Sequence, residues 1–288
     1  MLSAPATSPN AAISASFAHR ASSALFAFGA ASAFVACGTS SSPIADPPDA
    51  SAWAADADAP SADATIDVAG SEGQGDPGLP ASSDASTPPG RGAATLLAEA
   101  QRELAAMKQS TYTHTTSVDE PSGTFDYDCS GFVDYALGRV LPDALATLVA
   151  ATVKRPVASS FESFFASIAA GDANGRWRRV ARVPDLAPGD VIAWLKPAAL
   201  QSTNTGHVLV VRDAVSMRAA GEWVIPIIDA TESPHGSSDS RNAAGATGLG
   251  TGTIVLLTDA GGAPTGYRWS TWSGSVPYPT AVALGHLD

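Results

Sequence analysis

Cysteine is nearly missing from this chain, whose 288 residues hold only Cys37 and Cys129. Two thiols cannot build the set of bridges that staples a small exported fold, so the fold must rest on its apolar core. A hydrophobic content of 45% allows one. Basic residues are also scarce. Arg20 is the only Lys or Arg in the first 90 residues, and residues 38–90 carry nine acidic side chains. From Arg91 onward there are 19 acidic and 15 basic side chains, a net of −4. No basic stripe is present, so nucleic acid is not an expected partner. The spacings C-x-x-C, H-x-x-x-H and H-E-x-x-H are absent, so no metal and no cofactor is expected. There is no G-x-S-x-G elbow and no P-loop.

Long apolar runs are lacking too. The charge-free stretch Ala21–Ala36 has about 16 residues, short of the roughly 20 that span a bilayer. Arg20 precedes it, which gives the layout of an export signal. The end of this stretch, Ala36-Cys37-Gly38, resembles a bacterial lipobox, with Phe34 in the usual leucine place. That resemblance implies a signal peptide over 1–37, lipidation of Cys37, and a membrane-anchored place in the cell envelope. An ordinary signal peptide with an incidental Cys37 is the alternative. Residues 38–92 are rich in Ser, Ala, Asp, Pro and Gly, with Trp53 as the one aromatic. Such a segment buries too little apolar surface to offset its ordering entropy. It reads as a disordered linker with a coil span of roughly 40 Å.

Residues 93–288 read as the folded domain. "AATLLAEAQRELAAMKQ" has Leu96, Leu97, Ala100, Leu104 and Met107 at helical spacing. Residues 110–124 read as a loop. Asp128 is a candidate cap for a helix whose apolar face carries Phe132, Val133, Ala136 and Val140. Residues 141–183 read as a helical insert, with Phe161, Phe164, Phe165 and Ile168 on one face and Ser159 or Ser160 as cap. Then come strand patterns: "LAPGDVIAWLKP", "TGHVLVVRDA", "EWVIPIIDATES" and "TIVLLT". The first two look buried on both faces. Pro226 in the third points to an edge or a bulge. Helices first and antiparallel strands after give an α+β fold, helices packed on a sheet.

Cys129 falls in the first turn of its helix, on the core side. Free N–H groups and the helix dipole there favour a thiolate, the reactive form. An inert buried cysteine is the competing reading. A nucleophile needs a base and the base an orienting partner. His19 lies in the signal region and His286 at the terminus, which leaves His114, His207 and His235. If 207–212 and 224–229 pair as a hairpin centred near Arg218, His207 faces Asp229 across the ladder. That is the base–orienter geometry of a Cys-His-Asp triad. His207 as an ordinary strand histidine and Asp229 as a turn residue are the alternatives. His235 is the alternative third member, and His114 a similar outsider.

These pieces resemble the NlpC/p60 superfamily, papain-like cysteine peptidases of bacterial cell walls. "DCSGFV" resembles the nucleophile motif, "LAPGDVIAW" the Pro-Gly-Asp segment, "GHVLVV" the Gly-His strand, and "IIDAT" holds the third polar position. The resemblance covers roughly 95–235. It implies a papain-like fold in which Cys129 attacks an amide carbonyl, His207 shuttles the proton and Asp229 orients it. Tyr112, Asp128 and Ser130 would flank the oxyanion and substrate side. The implied substrate is a peptidoglycan stem peptide. The alternatives are a thiol amidase or acyltransferase on a non-wall substrate, and a non-catalytic anchored binding domain.

Overall fold

The computed structural model describes residues 91–288, apart from Val153 and Ala244. The expected signal peptide, the expected lipidation site Cys37 and the expected linker therefore lie outside the described residues, except for the linker's last two positions. No helix among the described residues is long and apolar enough to cross a membrane.

The chain opens with helix α1 (Gly92–Ala106), a short hairpin of β1 (Ser117–Asp119) and β2 (Thr124–Asp126), and helix α2 (Cys129–Val140). Helices α3 (Pro142–Thr152) and α4 (Ala158–Ser167) follow. Next come β3 (Ala173–Asn174), β4 (Trp177–Val180), β5 (Val191–Leu195), β6 (Gly206–Val211), β7 (Ser216–Ala219) and β8 (Glu222–Thr231). The last four are β9 (Gly248–Thr258), β10 (Pro264–Arg268), β11 (Pro277–Pro279) and β12 (Val282–Leu287). The fold is mixed α/β: few helices and one large antiparallel sheet in the order β11-β10-β9-β8-β6-β5-β12-β4-β3, with β7 beside β8.

Alternation along the central strands sorts the core into two layers. Val191 and Ala193 of β5, Val208 and Val210 of β6, and Ile228 and Ala230 of β8 pack with the helices. Ile192, Trp194, Leu209, Val211, Ile225 and Ile227 form the second layer. All of β6 is buried, as is β5 except for half-buried Leu195, as expected for strands covered on both sides. The sheet itself closes much of the second layer. Trp194 on β5 stacks on Tyr267 of β10 with ring centroids 4.3 Å apart. Three strands separate these two, so in a flat sheet they would lie roughly 19 Å apart at about 4.8 Å per strand. The sheet must curl to bring them together.

Several expectations need correction. The 141–183 insert is helical only to Ser167; its basic end forms β3 and β4, turned at Gly175, and β4 pairs with β12. Neither Ser159 nor Ser160 caps α4, whose cap position is Val157. The 110–124 loop contains the β1–β2 hairpin, and α1 stops at Ala106. β9 begins at Gly248, five residues before its apolar run.

Pro226 is neither on an edge nor at a bulge: it pairs with Thr253 in an unbroken β8–β9 register. The Pro226 carbonyl accepts from the Arg212 N–H on the β6 side. In an antiparallel strand N–H and C=O of one residue point the same way, so the missing donor also faces that side. There the partner of β8 changes from β7, which ends at Val224, to β6, which begins at Ile227. No ladder bond is lost.

The Pro-Gly-Asp segment is a packing junction. A Cβ on Gly189 (φ 91°) would sit 2.0 Å from the Ala93 carbonyl oxygen of α1. Asp190 accepts from the Ala187 N–H and from His286 Nδ1 at 2.6 Å, so His286 is tied into the fold rather than loose at the terminus.

Two carboxyls, the buried Glu103 and the largely buried Asp134, give the fold a pH dependence. Burial pushes Glu103 up to about 8, although the Tyr127 hydroxyl donates to it at 2.6 Å. Burial likewise pushes Asp134 up to about 8. Each has one buried oxygen without a hydrogen-bond partner. Between their ordinary values near 4 and about 8, the unfolded chain loses these protons while the folded one keeps them. Unfolding then releases protons, so this contribution is full at low pH and is lost as pH rises through 8. We expect Glu103→Gln to flatten the fall in Tm between about pH 5 and 8 relative to wild type. Equal slopes in the two proteins would show that Glu103 does not titrate in that window.

Candidate active site

Cys129 is the first residue of α2, and Asp128 caps that helix by accepting from the Gly131 N–H at 2.6 Å. The cap is itself buttressed: the Ser130 hydroxyl donates to Asp128 at 2.9 Å and Arg155 at 3.0 Å. His114 Nδ1 lies 3.4 Å away. Burial opposes a charge on Asp128, but the His114 contact, Arg155 and the Gly131 N–H outweigh it and bring Asp128 down to about 2. The side chains of Asp128 and Ser130 are thus committed to holding the helix start. His114 serves the same cap.

The thiol is 5% exposed and lies against β6, where the Val208 N–H points at the sulfur. The Ser130 N–H does so as well. The expected lowering of its pKa does not follow. Burial raises it well above the ordinary thiol range, the Asp128 and Asp229 charges add to the rise, and the two N–H groups offset only part. At rest Cys129 is a neutral thiol.

His207 directly precedes Val208. Being neighbours on one strand, the two side chains point to opposite faces: Val208 joins Cys129 in the helix-side core, while the His207 ring packs 5.2 Å from Trp194 in the other layer. Cys129 and His207 therefore approach one peptide of β6 from two sides. The expected pairing of His207 with Asp229 needs correction in register. β6 and β8 pair as Val210 with Ile228 and Val211 with Ile227, a slip of two, and β7 intervenes between them. A slip of two keeps both side chains on one face. Beyond Val210 the strands part, and His207 Nε2 bonds the Asp229 Oδ2 at 2.6 Å across the opening.

Asp229 has further partners. His235 Nε2 reaches the same Oδ2 at 2.8 Å, and Arg241 donates to Oδ1 at 2.8 Å. Arg241 is gripped in turn by Asp239, at 2.9 Å through Nε and 2.8 Å through Nη2. All five side chains are nearly or fully buried. Burial would raise Asp229, but Arg241, His235 and the two imidazole contacts hold it well below the usual carboxylate range. Burial lowers His207, so it is a neutral base near pH 7.

The loop carrying His235, Asp239 and Arg241 rests on the glycines of β9. A Cβ on Gly252 would come within 2.8 Å of His235 and Asp239, and one on Gly250 within 2.7 Å of Arg241. This explains why β9 starts in glycine rather than in β-branched residues. Sequence reasoning missed Arg241 and Asp239. Their only signal was an Asp-x-Arg pair in a loop otherwise made of small residues.

Tyr112 borders a small pocket together with His207, Asn204, Thr231, Glu232 and Ser233. His207, Asp229 and His235 also gather three ligand-type atoms within 4.8 Å of one another. The separations of 2.6 and 2.8 Å to one carboxylate oxygen are those of hydrogen bonds, and Arg241 holds the other oxygen. We read the trio as a proton-bonded network.

A protein described as uncharacterized protein R653 of Acanthamoeba polyphaga mimivirus is 29% identical to the chain over 160 residues, covering 50% of this chain and 68% of the viral protein. No protein-family model and no solved structure matches the chain.

Proposed function

We propose that the domain is a papain-like cysteine hydrolase of NlpC/p60 type, cleaving an amide bond in peptidoglycan stem peptides. The observation that carries this reading is the arrangement at the start of β6. A helix N-terminal thiol touches the Val208 amide, and the adjacent His207 gives its Nε2 to a buried carboxylate. With Nε2–H donated to Asp229, the lone pair of His207 sits on Nδ1, the ring nitrogen nearer its own backbone.

In this mechanism Nδ1 takes the Cys129 proton as sulfur attacks the amide carbon. The neutral resting thiol makes these two events concerted. The tetrahedral oxyanion collapses, the C–N bond breaks, and the amine leaves with the proton from His207. Water, deprotonated by the same Nδ1, then hydrolyses the thioester to a carboxylic acid and regenerates the thiol. Tyr112 lines the substrate side. The export signal and Cys37 would place the enzyme on the cell envelope, anchored by lipid.

Incubating the full chain with purified peptidoglycan tests this reading. New muropeptide fragments are expected, and Cys129→Ala should remove them, a loss on the order of a thousandfold or more. Unchanged muropeptides with Cys129 still alkylated by iodoacetamide in a His207-dependent way would reject the wall substrate. A thiol amidase or acyltransferase on another substrate would then remain. Full activity in Cys129→Ala would reject the cysteine mechanism altogether.

A further inference from the structure

His235 is the member of the network that the catalytic reading does not use, and its surroundings constrain it. Nδ1 lies 2.9 Å from the Trp269 carbonyl oxygen, and Nε2 lies 2.8 Å from the Asp229 carboxylate. Both partners accept only, so both ring nitrogens must carry hydrogen, and a ring with two N–H groups is a cation. The charged and titratable groups that face it agree. They are Asp229 from β8, His207 from β6 with rings 6.2 Å apart, and Asp239 and Arg241 from its own loop. Two buried carboxylates and one guanidinium leave the cluster one positive charge short of neutrality. The Trp269 indole lies over the ring at 3.9 Å and 33°, the placement of a cation–π contact. Trp269 is fixed there by its own Nε1–H donated to the Pro234 carbonyl at 3.1 Å.

We propose that His235 is a buried imidazolium and a positioning residue: it holds the one spare proton of the Asp229 cluster, and so keeps His207 neutral and able to act as the base. The charge state stands on geometry alone; the role rests on the catalytic reading above. His207 and His235 compete for one proton beside one carboxylate. The Trp269 carbonyl, 2.9 Å from His235 Nδ1, and the indole 3.9 Å over the His235 ring, against an edge contact of 5.4 Å to His207, decide the competition.

The test uses the full chain with 15N-labelled histidine and follows ring nitrogens by NMR. At pH 7 His235 should show two protonated nitrogens, while His207 keeps one unprotonated. An unprotonated nitrogen on His235 at pH 7 overturns the proposal. If that nitrogen instead shows coupling to added Zn2+, a metal bridge replaces the proton and the proposal also fails. The second arm measures the pH dependence of Cys129 alkylation by iodoacetamide in wild type and His235→Gln. Removing the cation should move the acid limb, set by His207, upward by about one to two pH units. A merely structural role would lower the rate without moving the limb, and an unmoved limb in a folded variant refutes the role. Failure of the peptidoglycan assay alone would leave the NMR result standing.

Discussion

Asp229→Asn should reduce Cys129-dependent turnover by about 10⁴-fold without unfolding the domain, because an amide in this place reverses the hydrogen-bond polarity of His207. Arg241 only donates, so the new side-chain oxygen must stay on the Oδ1 side, 2.8 Å from the guanidinium. The amide nitrogen then faces both imidazoles where Oδ2 stood. His207 must accept at Nε2 and carry its hydrogen on Nδ1, the nitrogen that takes the thiol proton in the proposed mechanism. His235 becomes neutral, since it too must accept at Nε2, and the cluster remains balanced with Asp239 and Arg241 alone. Size is unchanged, so stability should change little. Initial rates on the cleaved substrate, or the alkylation rate of Cys129 near neutral pH, would check this. A rate within about tenfold of wild type would mean that Asp229 does not set the tautomer.

Replacing Arg241 has the largest expected effect on stability. Its guanidinium bonds Asp229, Asp239 and the carbonyls of Asp229 and Gly248, all in the interior. Arg241→Met would leave two buried carboxylates against one imidazolium. Removing one partner of a buried ionic group costs about 3–5 kcal/mol, against about 0–1 kcal/mol for a surface pair. For a domain of this size that is a fall in Tm on the order of 10 °C. Arg241→Lys should rescue part of it, since an ammonium keeps the charge but cannot match the fork that spans two carboxylates. Thermal unfolding of both variants is the measurement. A change below about 1 kcal/mol in Arg241→Met would show that the carboxylates are satisfied without it.

A good part of the site was legible in sequence because it rests on local rules. An aspartate before a helical apolar face is a cap, so Cys129 had to open α2. Period-two alternation put His207 and Asp229 on one face, and that conclusion survived a wrong register because the slip was of two residues. Other local rules misled. Pro226 looked like an edge residue because a ladder was assumed on both sides throughout β8, whereas the partner strand changes just where the donor is missing.

The protonation of Cys129 shows where local reasoning stops. Its helix position favours a thiolate, but the burial and the carboxylates around it come from β6, β8 and the cap cluster, and they win. His235, Asp239 and Arg241 lie in a stretch with no hydrophobic period, so nothing in their spacing says which way they face. Their positions follow from the glycines of β9, which let the loop lie flat on the strand and bring its charges to Asp229. The sequence by itself determined the cap, the place of Cys129 on its helix, and the shared face of His207 and Asp229, since each depends on neighbours within a few residues. Tertiary structure alone decided the protonation states, because a charge's free energy depends on what is buried beside it, and those neighbours come from distant parts of the chain.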